Sequence, residues 1–427
     1  MSADASRSTS TRPVWLIVLA AASIAGIGMG LRQVMGLYVV PVTETLGLGR
    51  EAFALAIAVA NIVWGLASPI TGVFSDKYGP SRVIIFGALC TAMGMLLMCW
   101  ANSEWDLIWS GVFLGLGVAG AGINATVGAV GRAAPPEERT AAIAAVGIGA
   151  GMGMLLALPY SHILIGVMGW QASLIVLAST AMVILLLVWP LGGSASSSAS
   201  GGHSAQVPAQ SAMEAIREAI RLPSFWLLNA GFFVCGFHLI FYATHLPPFV
   251  ADKGLGPEIG VWGLTAVGVG NLIGTYLAGQ WGRRLPKRYG LSLIYFCRGF
   301  VFLGFLFLPI TGVTVVALSF ILGILWLSTI PLTSALVATF FGPRWMTMLY
   351  GFVFLSHQVG SFFGVWLGGA IYDRMQSYDA MWWISLGLGL FAALIHLPIV
   401  ERPVARLVGP QELQAAGGAQ PRGAMEP

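Results

Sequence analysis

Charge is what this sequence has least of. Only 9% of its 427 residues are Asp, Glu, Lys or Arg, where a soluble domain carries about 25%. A chain so poor in charge cannot cover a water-facing surface of ordinary size, which excludes a soluble protein. Cysteine is scarce too. Cys90, Cys99, Cys235 and Cys297 all fall inside apolar runs, and no CxxC pair occurs. That excludes a disulfide framework for an exterior loop and a cysteine metal site. No GxxxxGK[ST] loop is present to cradle a phosphate, so ATP hydrolysis is not expected. No catalytic constellation is found, and neither an enzyme nor a cofactor is expected. The formal net charge of +4 does not point to nucleic acid, because the basic residues are scattered through loops.

What the chain has is long apolar runs. A membrane span needs about 20 mostly apolar residues. Twelve candidates appear: 14–40, 52–74, 82–101, 106–131, 140–166, 170–190, 224–250, 259–281, 290–309, 313–341, 347–371 and 379–400. No alternating short-strand pattern is visible, so the spans are expected to be helices that satisfy their own backbone. The first dozen residues are polar and the run after them is too long for a cleaved leader, so it is expected to be the first span. The fifth carries Gly147, Gly149, Gly151 and Gly153, suited to close helix packing.

Gly192 to Ser211 is rich in Ser, Ala and Gly, which predicts a flexible linker. Ser211 and Glu214 then form a capping-box pattern opening a short amphipathic helix. The predicted organisation is a tail over 1–13, a six-helix bundle over 14–190, a linker over 191–223, a second bundle over 224–400 and a tail over 401–427.

The two halves match at a constant offset of 207. Pro41 pairs with Pro248, Gly47-Leu48-Gly49 with Gly254-Leu255-Gly256, and Gly72 with Gly279. This argues for duplication, and parallel six-span repeats suggest a transporter with its site between them. With both termini on one side, that side holds sixteen Lys and Arg and the other holds three. The positive-inside rule then places both termini in the cytoplasm.

The turn after span two reads Gly72-Val73-Phe74-Ser75-Asp76-Lys77-Tyr78-Gly79-Pro80-Ser81-Arg82. Through Gly72, Asp76, Lys77, Gly79 and Arg82 it resembles the signature of the major facilitator superfamily. A second copy, Gly279 to Arg284, has Arg283 in place of the acid. The arginine-bearing first span, Gly30 to Tyr38, and Asn61 to Gly65 resemble bacterial monocarboxylate-porter and oxalate/formate-antiporter-like members. The resemblance implies an all-α protein of twelve transmembrane helices in two six-helix pseudo-repeats, in a bacterial inner membrane. It implies that Gly72, Asp76, Lys77, Gly79 and Arg82, with Arg283 and Arg284, form a cytoplasmic gate. Asp76 would face the start of span eleven, and Arg82 can complete a charge pair.

Arg32 lies in the outer half of span one, and a membrane-buried arginine usually faces a cavity or a partner. Every acid falls in a loop or at a span end, so an anionic substrate would supply the missing charge. The alternative is pairing with Glu44 or with backbone carbonyls. His238, Tyr242 and His245 share one face of span seven, a helix that lines the cavity by resemblance. With no membrane-embedded acid, His238, His245 and His357 are the candidates for proton coupling. Gln358 beside His357, and Asn61, Trp64, Asn124, Asn271 and Trp326, are candidate lining residues, with helix packing as the alternative for each. Arg298 is expected to snorkel to the cytoplasmic interface. His162, His396 and the Trp382-Trp383 pair are expected at span ends. The reading is a secondary transporter, acting as a monomer, that takes up a small organic anion (a monocarboxylate) with a proton. The alternatives are export of drugs or metabolites and, from another class, a membrane sensor or scaffold.

Overall fold

The computed structural model describes residues 13–135, 138–193, 210–342 and 345–407. Most of both tails and most of the Gly/Ser linker lie outside the described residues, as do the side chains of Asp76 and Asn124. Span one is α1 (Val14–Gln33), a 3₁₀ segment (Val34–Tyr38) and α2 (Val39–Leu46). Spans two and three are α3 (Arg50–Tyr78) and α4 (Pro80–Cys99). Span four is broken into α5 (Glu104–Ala121) and α6 (Ile123–Ala133). Spans five and six are both carried by α7 (Arg139–Leu187). A short α8 (Ala212–Arg221) precedes α9 (Pro223–Asp252), α10 (Pro257–Arg284) and α11 (Lys287–Phe307). Span ten is broken into α12 (Gly312–Leu325) and α13 (Thr329–Phe341), and α14 (Met346–Met375) and α15 (Asp379–His396) complete the set.

The chain folds back within α7. Gly169 has φ 77° and ψ 167°, a conformation open to glycine. Tyr160 and Thr180 hydrogen-bond at 3.2 Å, whereas a straight helix would hold residues twenty apart by about 30 Å. The protein is therefore an all-α membrane protein of twelve spans in two six-span pseudo-repeats. The repeat is visible in the backbone. Gly47 and Gly254 are both left-handed, at φ 64° and 72°. Gly49 and Gly256 are both extended N-caps, of α3 and α10. The fourth span of each half is broken at a similar place, at Gly122 and at Trp326 to Ser328.

Packing explains half of the glycine cluster in span five. Gly149 and Gly153, four apart, lie against the backbone of Ala22 and Gly26 in α1, where a side chain would collide. Gly147 meets nothing within 4 Å, and Gly151 touches only Leu272.

Three expectations are corrected. Arg298 does not snorkel; it is fully buried and donates to the carbonyls of Leu325 and Trp326. Those carbonyls end α12, where the break in span ten leaves acceptors unpaired and the helix dipole favours a cation. His396 is buried, stacked on Tyr295 at 5.0 Å. The tryptophan pair splits: Trp383 is exposed, but Trp382 is buried against Phe241, Phe249 and Phe305.

The halves meet along α3 and α14. Gly369 lies against Arg50 and Ala54, Gln358 against Gly65, and the Trp64 and Phe354 rings are 5.1 Å apart. Seven residues beyond Gly65 on the same helix face is Gly72, and seven before Gln358 is Gly351. Neither has any neighbour within 4 Å of where a side chain would begin. The same holds for α7 and α10: Gly151 touches Leu272, but Gly147 and Gly279 touch nothing within 4 Å. The halves are thus joined at one end and parted at the end that carries the Gly72–Arg82 turn. Pro69, inside α3, sits where they diverge and removes a helical hydrogen bond there.

Candidate functional site

A cavity of about 50 Å³ lies between the halves where α1 tightens into its 3₁₀ segment. That tightening brings Gly36 against the carbonyls of Ala243 and Thr244 in α9, a contact no side chain could share. Arg32 stands one turn earlier and points its guanidinium at α3. Asn61 Nδ2 donates to Ile57 O at 2.8 Å, which turns its Oδ1 towards Arg32. Arg32 Nη2 donates to that oxygen at 3.1 Å. The guanidinium carbon lies 4.8 Å from the centre of the Trp64 ring, within cation–π range.

A guanidinium has five donor hydrogens, and Asn61 takes one. Among the described residues no carboxylate forms an ion pair with Arg32. The other walls are chiefly apolar, including Leu31, Ile57, Met95, Leu114 and Val118, with the Thr91 hydroxyl among them. The second half contributes only Ile240, Ala243 and Thr244. At about 10–15 Å³ per water-sized group, the cavity holds roughly three to five such groups. Chemically this is a positive point in a small apolar chamber, suited to one carboxylate with a short body.

Among the described residues, one direct hydrogen bond crosses between the halves at this depth. Gln358 Nε2 donates to Asn61 O at 3.0 Å. The amide is thereby oriented so that its Oε1 accepts from His357 Nδ1, also at 3.0 Å. Asn61 thus touches Arg32 with its side chain and the other half with its backbone. The sequence offered no sign of this double role, nor of Thr91, Met95 and Thr244 as lining residues.

The other expected residues are placed elsewhere. His238, Tyr242 and His245 do share a face of α9, but it points into the second half, away from the cavity. His238 is fully buried, and its Nε2 donates to Ser385 O at 2.9 Å. Tyr242 bonds Ser319 at 2.6 Å. His245 Nε2 donates to Val365 O at 2.8 Å, so its Nδ1 accepts from the Tyr378 hydroxyl at 3.1 Å. His357 lies behind Gln358, stacked on Phe354 and tilted against Phe232, and is not a cavity wall. Asn271 Oδ1 accepts from Leu327 N at 3.0 Å, holding the break in span ten, and Trp326 is buried beside Tyr242. The cavity therefore gathers Arg32, Asn61 and Trp64, and among the described residues no histidine lines it.

In the signature turn, Gly79 has φ 90° and joins α3 to α4, with Pro80 as the first residue of α4. Lys77 lies 5.1 Å from the Tyr78 ring, and Arg82 is exposed. Arg283 and Arg284 are exposed in the last turn of α10.

At the opposite face the halves are clasped by charge. Arg50 Nη1 and Nη2 each donate to Asp252 at 2.6 Å. The guanidinium lies over Tyr372 at 3.7 Å and reaches the Tyr378 hydroxyl at 3.1 Å. Asp373 accepts from the backbone N–H groups of Arg50 and Glu51 at 2.9 and 2.7 Å, capping α3 from the other half. In the sequence Arg50 is one of the three basic residues on the less charged side, with Lys253 and Arg374. Its position at a span end, matched by acids at the ends of spans seven and eleven, was the available signal.

Comparison with known proteins fits this architecture. The Major Facilitator Superfamily profile matches residues 15–365, and the chain belongs to that superfamily. The uncharacterized MFS-type transporter YcxA of Bacillus subtilis (strain 168) is 24% identical over 93% of this chain and 98% of its own. The oxalate:formate antiporter of Oxalobacter formigenes is 23% identical, covering 92% and 94%. Mouse monocarboxylate transporter 11 is 23% identical, covering 90% and 86%. Among solved structures, a bacterial homologue of the human lysosomal transporter Spinster, titled as inward-facing and occupied, superposes with a TM-score of 0.72. It is 14% identical and covers 92% of this chain and 98% of its own.

Proposed function

We propose that this transporter moves a small monocarboxylate by alternating access, with the carboxylate seated on Arg32. The observation that carries the reading is a half-buried guanidinium that, among the described residues, has one hydrogen-bond acceptor and no acid beside it, facing a small apolar chamber between the halves. Leaving such a charge bare in a membrane is costly; an anion that brings its own charge offsets the cost. The oxalate:formate and monocarboxylate names of two relatives support the same substrate class.

The positive-inside count supports a cytoplasmic side for the termini and the signature turn, and the membrane on this reading is a bacterial plasma membrane. The conformation described is then the inward-open one, closed outside by Arg50 and Asp252. Gly72, Asp76, Lys77, Gly79, Arg82, Arg283 and Arg284 would form the inner gate that closes in the other state.

With no histidine in the cavity wall among the described residues, a coupled proton travels on the substrate itself. A second reading is exchange. An empty carrier would have to reorient with its guanidinium bare, so Arg32 favours a cycle with an anion aboard on both legs. Both readings are tested in proteoliposomes with a panel of short organic acids, with and without a proton gradient or internal acid. Arg32→Ala should abolish transport of every acid carried by the wild type, and Arg32→Lys should restore little, lacking the planar fork. Transport of neutral or cationic compounds, undiminished in Arg32→Ala, would refute the site. Uptake only with internal acid would select exchange.

A further inference from the structure

The second copy of the signature turn has lost its acid and has become a cationic cleft. A cleft of about 620 Å³ is lined by Arg283, Arg284, Lys287, Arg288 and Arg402, with Glu401 as the one acid. That acid is already engaged: its Oε1 accepts from Arg288 N at 2.7 Å, and its Oε2 lies 3.6 Å from Lys287 Nζ. Arg288 is anchored by donating to Ile399 O at 2.9 Å. Arg283, Arg284 and Arg402 are exposed, and among the described residues no carboxylate pairs with them. The dipole at the end of α10 favours cations in its last turn, which accounts for two of the five and leaves a net positive cleft.

A second observation gives the ligand its class. Tyr289, Leu293, Phe296 and Phe300 are exposed along α11, at steps of four, three and four. They form one apolar stripe on that helix, rising from the cleft into the depth of the membrane. A soluble anion would use the cleft and leave the stripe idle; a lipid uses both. We infer that this cleft binds the phosphodiester headgroup of an anionic phospholipid, with its acyl chains along the α11 stripe.

The test is native mass spectrometry of the full-length protein, purified and then exposed to equal dioleoyl phosphatidylglycerol and dioleoyl phosphatidylethanolamine. Wild type should retain phosphatidylglycerol preferentially. Each neutralised arginine should weaken retention about fivefold, so Arg283→Gln with Arg284→Gln should lose roughly 25-fold. Arg402→Gln lies after the last span and does not alter an inserted helix; it should lose about fivefold. Lys77→Gln with Arg82→Gln, the same charge change at the first copy, should leave retention intact. Equal loss in that control, no preference between the two lipids, or displacement of the bound lipid by millimolar inorganic phosphate would overturn the assignment.

Discussion

Breaking the Arg50–Asp252 clasp should shift the transporter towards its other state. The side chains are only 12% and 27% exposed, so the pair is partly shielded from water. A charge-assisted pair of this kind contributes about 1.5–3 kcal/mol. The guanidinium on Tyr372 adds about 0.5–1 kcal/mol. Together these come to about 2–4 kcal/mol, so loss of the clasp moves the equilibrium by roughly 30- to 700-fold. These bonds join the two halves and exist only while this face is closed, so the shift falls on one state. Spin labels at Asn102→Cys and Met375→Cys, exposed positions on that face in opposite halves, would report it by pulsed dipolar spectroscopy. Arg50→Ala and Asp252→Asn should each populate a longer distance. The double variant should add little, because each single change already removes the shared interaction. An unchanged distance distribution, or fully additive shifts, would refute the clasp.

Three further outcomes are expected. Gln358→Leu removes the bond to Asn61 O across the halves, worth about 1 kcal/mol, and should slow transport several-fold while substrate affinity, read by isothermal titration, changes little. Gly153→Leu should prevent α1 and α7 from packing, so that the protein fails to express as a monodisperse species in gel filtration, whereas Gly147→Leu should be tolerated. In the capping box of α8, the Ser211 N–H and hydroxyl hold the Glu214 carboxyl below its usual range. A carboxyl depressed by folding stabilises above its unfolded value and loses that stabilisation as pH falls through the folded one. Hydrogen exchange in residues 212–221 should therefore be slow at neutral pH relative to its intrinsic rate, and lose protection below about pH 4.

The spans and the repeat were legible because they rest on local signals. Apolar length fixes a membrane helix, and Gly47 and Gly254 mark the same left-handed turn in each half. Arg32 was legible because an arginine among apolar residues is rare. The faces of helices buried all round were not legible. His238, Tyr242 and His245 do lie on one face of α9, but with apolar residues on every side periodicity cannot say which face meets the cavity. Arg298 and Arg32 look alike in sequence, yet one ends a broken helix and the other faces a chamber. The difference is the break at Trp326, a long-range feature without a local signature.

The chamber draws all its charge and most of its shape from one half, while Ile240, Ala243 and Thr244 on the other merely cover it. A duplicated chain has in this way divided its labour. On the proposed reading one copy acts as host and the other as lid, although both still share the turns at Gly47 and Gly254. Changes in substrate choice should therefore accumulate in the first copy, and changes in turnover in the second. A chimaera that keeps residues 14–190 and borrows its later half from a relative should keep its substrate and alter its pace.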